Sequence, residues 1–364
     1  MLVTSVTARA FRNLDRLRLE PSPAITTVSG PNGAGKTNLL EALSFALTGR
    51  SFRTADRREL IAFGRGFARA EAEVGTEGAA HAFVASVSRT DGRRHLLDGA
   101  ALEPARAGSV RPHLLVFSPD RLTLVKGPPA ERRAELDRLL AALWPARSQL
   151  RQRYGQALAQ RNALLGRVGA GIASPAELDA WDAALAAAAA PLIHARAEAA
   201  RLLAGPFTAV AAELGLEPEP EIRYAPRAEG DADVIQAELE RRRGGDLRLG
   251  RSSWGPHLDE LALSAGARSV RRYASQGQQR VALLALLFAE RDALIGAGTA
   301  PPLMLLDDVM SELDGERRAS LATRLAAQGQ ALITATDVTP LPELAAGRQV
   351  RLRDGVLLGL AEAA

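Results

Sequence analysis

The chain has 364 residues, 47% of them hydrophobic, and carries a formal net charge of +4 with an isoelectric point of about 10.0. That content supports at least one full core and excludes a disordered chain. The absence of cysteine excludes disulfides and thiolate zinc sites, and His81, His95, His113, His194 and His257 lack close ligand spacing.

Residues 2–8, 14–20 and 25–29 read as short strands, punctuated by Asn13 and Pro21-Ser22-Pro23. After a glycine-rich turn, Leu39, Leu40, Leu43 and Leu47 repeat at helical spacing, and β-like stretches follow near 81–88 and 113–117. From about 120 to 215, Leu/Ala/Arg/Glu periodicity predicts helices, including one over 147–168 about 33 Å long. Ser174-Pro175-Ala176-Glu177 predicts an N-cap with a capping-box glutamate, Pro191 a kink, and Gly205-Pro206 the end of that helix. A linker-like stretch at 215–230 and the basic run Arg241-Arg242-Arg243 lead to strands expected at 258–264 and 268–273. A helix at 277–295, a strand at 303–306, a helix at 315–327 and a strand at 331–336 then make parallel units. The expected fold is α/β: a mixed sheet with flanking helices, at 1–120 and 246–364, split by an inserted helical arm at 121–245.

Gly30-Pro31-Asn32-Gly33-Ala34-Gly35-Lys36-Thr37 fits G-x-x-x-x-G-K-[ST] between a strand and a helix. Backbone amides there wrap a β-phosphate, Lys36 reaches the β/γ oxygens, and the Thr37 hydroxyl binds Mg²⁺, so ATP and Mg²⁺ are the expected cofactors. Lysine occurs at two positions, Lys36 and Lys126, which makes its placement here informative. The apolar run Leu303–Leu306 delivers Asp307 and Asp308 to the C-terminal edge of a sheet, where open α/β folds bind ligands. Asp307 is expected to hold Mg²⁺ and Asp308 to orient the attacking water.

Ser275-Gln276-Gly277-Gln278 resembles the S-x-G-Q signature of ABC ATPases: Ser275 caps a helix and Gly277 lets backbone amides approach a γ-phosphate closely. In that family the phosphate belongs to the nucleotide of the opposite subunit, which implies a head-to-tail dimer with contributions from Ser275, Gly277 and Gln278. Ser311-Glu312-Leu313-Asp314 resembles the D-loop, implying that Ser311 and Asp314 also reach the nucleotide. The γ-phosphate histidine of transporters is missing after strand 331–336, leaving Thr336 or Asp337 in its place; no glutamine occurs in Phe117-Ser118-Pro119-Asp120; and Asp308 replaces the usual glutamate. The shorter Asp308 predicts weak turnover, with ATP acting chiefly as removable glue.

Seven collinear segments resemble the RecF family of bacterial recombination mediators. They are Phe11-Arg12-Asn13, Gly49–Thr54, Val116–Asp120, Val125–Pro128 with Arg132-Arg133, Gly255–Leu261, Ser275–Arg280, and Leu306–Asp308 leading to Ser311–Asp314. The resemblance implies a two-lobed head, Arg12 and Asn13 beside the nucleotide, ATP-dependent homodimers, and slow, DNA-triggered hydrolysis. It further implies work with RecO and RecR to load RecA at gapped DNA, on duplex and single-strand/double-strand junctions. Arg50, Arg53, Arg57, Arg58, Arg132, Arg133 and Arg241–Arg243 are candidate phosphate contacts for binding without base readout. The alternative readings are the nucleotide-binding subunit of an ABC transporter and a P-loop kinase. The arm separating the two halves of the site favours the DNA reading. The N-terminus lacks a basic and an apolar signal region and no uncharged apolar run reaches the ~20 residues of a bilayer span, so the expected location is the cytoplasm, with no membrane partner.

Overall fold

The computed structural model describes residues 1–76, 78–103, 108, 110–310, 313–336 and 347–358. β1 (Leu2–Phe11), β2 (Leu14–Leu19) and β3 (Ile25–Ser29) lead into α1 (Lys36–Thr48), followed by β4 (Phe67–Thr76), β5 (Ala79–Ser88), β6 (Gly92–Leu97), β7 (Ala100–Ala101) and β8 (Leu114–Phe117). Next come α2 (Pro129–Leu143), α3 (Leu150–Gly169), α4 (Leu178–Glu213), β9 (Pro220–Ala225), α5 (Ala232–Leu249), β10 (Glu260–Ala265), β11 (Arg268–Ser269) and α6 (Gln276–Gly296). The chain closes with β12 (Leu303–Leu306), α7 (Gly315–Ala327), β13 (Gln330–Ala335), β14 (Arg348–Arg353) and β15 (Val356–Leu358).

Two compact units result: Met1–Leu122 with Glu213–Gly215 and Leu294–Ala364, and Thr123–Ala212 with Leu216–Ala293. Residues 246–293, expected with the C-terminal part of the head, group with the helical residues instead.

In the first unit an antiparallel sheet of order β2-β1-β4-β5-β6-β7 and a sheet of order β15-β14-β3-β13-β12-β8 share one apolar core with α1. In the second sheet β14, β3, β13, β12 and β8 run parallel. α1 is buried continuously from Leu39 to Leu47 and packs against β1, β4, β5 and β13, the pattern of a helix covered on every side. The pairs Leu306↔Phe117, Leu306↔Ile333 and Ala335↔Ser29 bring the C-terminal ends of β8, β12, β13 and β3 to one edge. That edge receives Gly30 and Asp307.

The second unit is helical with a small antiparallel sheet, β11-β10-β9. β9 occupies part of the expected linker at 215–230, and the strand expected at 268–273 is two residues of β11 followed by a helical turn, Val270–Tyr273. The capping box at Ser174 and Glu177 forms as expected. The predicted stop at Gly205-Pro206 does not: α4 passes through Pro191 and Pro206. Beyond Pro206, Phe207, Val210 and Ala211 are fully buried and Thr208 Oγ1 donates to Pro220 O at 2.8 Å, contacts that outweigh the ~3 kcal/mol cost of an internal proline. Arg161, also fully buried, donates to Asp182 and Asp246 at 2.6 and 2.7 Å and so ties α3, α4 and α5 together. The family-like segment Gly255–Leu261 has similar work: His257 bonds Tyr154 at 2.6 Å, and Asp259 accepts from Tyr224 and Arg196.

Candidate functional site

The glycine turn after β3 is shaped by close approaches. A Cβ on Gly30 would lie 2.1 Å from Leu352 O, and Gly35, at φ 104°, would carry one 2.7 Å from Asn13 Oδ1. Both positions therefore require glycine. Asn13 reads the turn directly, donating from Nδ2 to Gly33 O at 2.9 Å, while Asn38 donates to Asn13 Oδ1 at 2.7 Å. Lys36 is buried, and its Nζ donates to Gly30 O at 2.6 Å and Pro31 O at 3.0 Å, so the ammonium is folded into the turn formed by Gly30 to Gly35. Pro31, Asn32, Gly33 and Ala34 complete that turn, with Ala34 N bonded to Pro31 O.

Across the sheet edge, Thr37 Oγ1 lies 2.9 Å from both carboxylate oxygens of Asp307. Thr334 Oγ1 donates to Asp307 Oδ1 at 2.7 Å and accepts from the Asp308 amide at 2.9 Å. Burial pushes the Asp307 carboxyl above its ordinary range and the Asp308 charge adds to this, while the hydrogen bonds from Thr334 and Thr37 and the charge of Arg53 oppose it. A hydroxyl and a buried carboxylate converging on one point are hard oxygen donors, which fit Mg²⁺ with phosphate and water completing its shell. Asp308 adopts φ 50°, in the left-handed region, which re-aims its side chain relative to the strand.

Glu41, fully buried on α1, anchors the arginines around this site. Arg12 grips it bidentately at 3.0 and 3.0 Å, Arg53 Nη1 reaches it at 3.2 Å, and Ser51 Oγ donates at 2.6 Å. Arg53 also donates to Asn38 Oδ1 at 2.9 Å. A chain of bonds thus runs from Gly33 through Asn13, Asn38 and Arg53 to Glu41. The sequence reading missed Glu41 and Thr334; one looks like a surface position of an amphipathic helix, the other like a strand residue.

Thr336 lines a cleft of about 380 Å³ with Gly30, Pro31, Arg351 and Arg353. Ser311 lies outside the described residues. Asp314 serves as N-cap of α7, its carboxylate accepting from the Arg317 amide at 2.9 Å. In the second unit the Ser275 hydroxyl accepts from the Gln278 amide at 3.2 Å and the Gln278 side chain accepts from the Ser275 amide at 2.9 Å. Ser275, Gln276, Gly277 and Gln278 are all exposed, and a Cβ on Gly277 would meet nothing closer than Ser275 Oγ at 3.9 Å.

Several arginines expected to meet phosphate are committed elsewhere. Arg132, 2% exposed, pairs with Glu260 at 2.8 Å and donates to the carbonyls of Leu124, Val125 and Gly127. Arg133 donates to Asp259 O, and Arg243 pairs with Asp179 and Asp182. Arg241 and Arg242 pair with Glu238. Arg50, Arg57 and Arg58 are exposed. Among the described residues no helix is long and apolar enough to cross a membrane, and no group of three or more His, Cys, Asp or Glu could hold a metal by itself.

Residues 2–344 match the family model of the RecF/RecN/SMC N terminal domain. The chain is 39% identical to the DNA replication and repair protein RecF of Anaeromyxobacter sp. (strain K), covering 98% of this chain and 99% of the relative. It is 38% identical to that of Myxococcus xanthus, over 90% and 88% of the two chains. A solved structure of the recombination mediator protein RecF with ATP, in the RecFOR pathway, superposes with a TM-score of 0.84 at 25% identity, over 99% and 98% of the two chains. An Smc head bound to the C-winged helix domain of ScpA shares the fold, with a TM-score of 0.59 at 16% identity over 100% and 99%.

Proposed function

The chain belongs to the RecF family, within the RecF/RecN/SMC group, and from that premise we propose that it is a DNA-repair ATPase in which bound Mg-ATP clamps two copies together on DNA. The observation that carries the reading is the meeting of Thr37 and Asp307 beside Lys36, at the turn where a triphosphate would lie. Bound Mg²⁺ would offset charge on the β- and γ-phosphates. Thr37 and Asp307 would hold it, Lys36 would exchange its two carbonyl bonds for phosphate oxygens, and Thr334 would keep the Asp307 carboxylate oriented. Asp308, short and held at a positive φ, positions water less well than a glutamate, so hydrolysis is slow; its stimulation by DNA is what the family resemblance implies.

The exposed helix end at Ser275, Gly277 and Gln278, where the Ser275 and Gln278 side chains cap each other's amides, would complete the triphosphate site of a second copy, with Ser311, Asp314 and Thr336 of the head at the same junction. Asn13 braces the turn, and beside it Arg12 clamps the helix that follows through Glu41. On gapped or junction DNA the dimer works with RecR and RecO toward loading of RecA.

Molecular mass with and without Mg-ATP tests the clamp. The parent chain should double its mass on adding Mg-ATP and DNA, and Ser275→Arg should bind nucleotide yet remain monomeric. A parent that stays monomeric at saturating Mg-ATP with DNA present removes the mechanism.

A further inference from the structure

Register in the antiparallel sheet assembles a charge pattern that no single segment displays. Arg9 of β1 stands directly opposite Arg16 of β2 and Arg69 of β4; Arg69 stands opposite Ser86 of β5, and Ser86 opposite Arg94 of β6. Five strands thus contribute one row, four arginines and a serine, at right angles to the strands. At the usual strand spacing the row is roughly 19 Å long. The adjacent positions Ala8, Leu17, Ala70 and Ala85 are buried in the core, so alternation along each strand turns the row outward.

Arg9, Arg16 and Arg94 are exposed, and among the described residues none meets a carboxylate within ion-pair distance; Arg69 is balanced by Glu71 at 2.8 Å. Like charges directly opposite one another destabilise a sheet, so the Arg9/Arg16 pair is held at a cost that an external anion would relieve. Arg9 and Arg16 also line a shared cleft of about 300 Å³ with Phe67 and with Arg65, whose charge is balanced by Asp15 at 2.6 Å, leaving Arg9 and Arg16 as the cleft's unbalanced cations among the described residues. A different arginine group, Arg50, Arg57, Arg93 and Arg111, has an internal explanation. Its members repel one another near the C-terminal end of α1, where Arg111 donates to Leu47 O at 3.3 Å and the helix carbonyls present negative potential.

We propose that the row Arg16-Arg9-Arg69-Arg94 on the open face of this sheet is a cradle for the sugar-phosphate backbone of duplex DNA. The inference rests on the DNA-repair reading above and adds the surface. A row of backbone positions roughly 19 Å long, carrying guanidinium groups at four of its five places, spans about half a helical turn of duplex and contacts phosphates without reading bases. Each neutralised phosphate contributes about −0.9 to the slope of log affinity against log salt.

The test is binding of a fluorescent duplex across a salt series, in Mg-ATP, for the parent, Arg9→Ala/Arg16→Ala, Arg94→Ala and Arg50→Ala/Arg57→Ala. The double variant Arg9→Ala/Arg16→Ala should lose on the order of tenfold in affinity and flatten the slope by roughly two, with ATP binding as in the parent and an unfolding midpoint no lower than the parent's. Arg94→Ala should flatten it by roughly one. Row variants that bind with the parent's affinity and slope overturn the cradle alone, the more so if the loss falls on Arg50→Ala/Arg57→Ala. A parent that fails to bind duplex overturns the cradle and the DNA reading together.

Discussion

The phosphate turn of the first unit and the serine-glycine segment of the second are both helix N-termini that present backbone amides, yet their surroundings are opposite. Around the turn, Lys36, Glu41 and Asp307 are buried and cross-linked by the bonds of Asn13, Asn38, Arg53, Thr37 and Thr334. At the other segment, Ser275 to Gln278 lie open, and the reciprocal bonds of Ser275 and Gln278 satisfy the helix end locally. A site embedded in its own core couples chemistry to stability, so damage there is felt in both. A self-contained cap on the surface separates them, as suits a group whose work lies on another molecule.

The largest expected effect breaks the buried side of that contrast. Lys36→Ala removes the ammonium aimed into the turn and should lower single-turnover hydrolysis at saturating Mg-ATP by roughly 10²–10³, the range for losing one preorganised charge-stabilising donor. Rates within a few-fold of the parent would mean that the turn binds phosphate through its amides alone.

Next in size is Glu41→Ala, which leaves Arg12 and Arg53 without their shared buried carboxylate. Because both guanidinium groups retain some solvent access, a loss of about 2–4 kcal/mol is expected in urea unfolding, below the full penalty for stranding a buried charge. Nucleotide affinity should fall with it, since Arg53 also steadies Asn38. A stable Glu41→Ala protein with normal affinity would show that the arginines are held by the loop and not by the acid.

Ser275→Arg probes the exposed side. Its unfolding free energy should stay within about 0.5 kcal/mol of the parent, the ordinary range for surface changes, while ATP-induced dimerisation is lost. If stability drops by as much as for Glu41→Ala, the two regions are alike after all and the separation fails.

The contrast also explains what the sequence made legible. Gly30–Thr37 and Asp307 were readable because local spacing and a strand on one side specify them. Ser275 was readable as a helix cap for the same local reason. Glu41 was not, because Asn38-Leu39-Leu40-Glu41-Ala42 gives no sign that the polar face of α1 is covered; that depends on Arg12 ahead of β2 and on Ser51 and Arg53 beyond the helix end. The row Arg16-Arg9-Arg69-Arg94 depends on pairing among five strands, which no local pattern encodes. The continuation of α4 through Pro206 was hidden likewise, because the burial of Phe207 and the bond of Thr208 to Pro220 beyond the helix are tertiary contacts.

The smallest expected effect concerns acid, and it sharpens the comparison of the two units because each holds a half-buried histidine. His95 bonds Ala46 O at 2.9 Å at the end of α1, and His257 bonds Tyr154 and Ser252 O in the second unit. Burial is the largest cause holding both imidazoles below the ordinary value of 6.5, with nearby arginines also disfavouring the charged form. The unfolded chain therefore takes up these protons first. Stability is full above about pH 6.5 and is lost as pH falls from there toward the folded values. His95→Gln keeps a donor for Ala46 O and removes the titration, so its unfolding midpoint should fall less between pH 7 and about 5.5 than the parent's. His257→Gln should do the same for the helical unit. If both variants lose stability on acidification as steeply as the parent, the acid sensitivity lies elsewhere in the molecule, and the histidines are packing groups with no share in it.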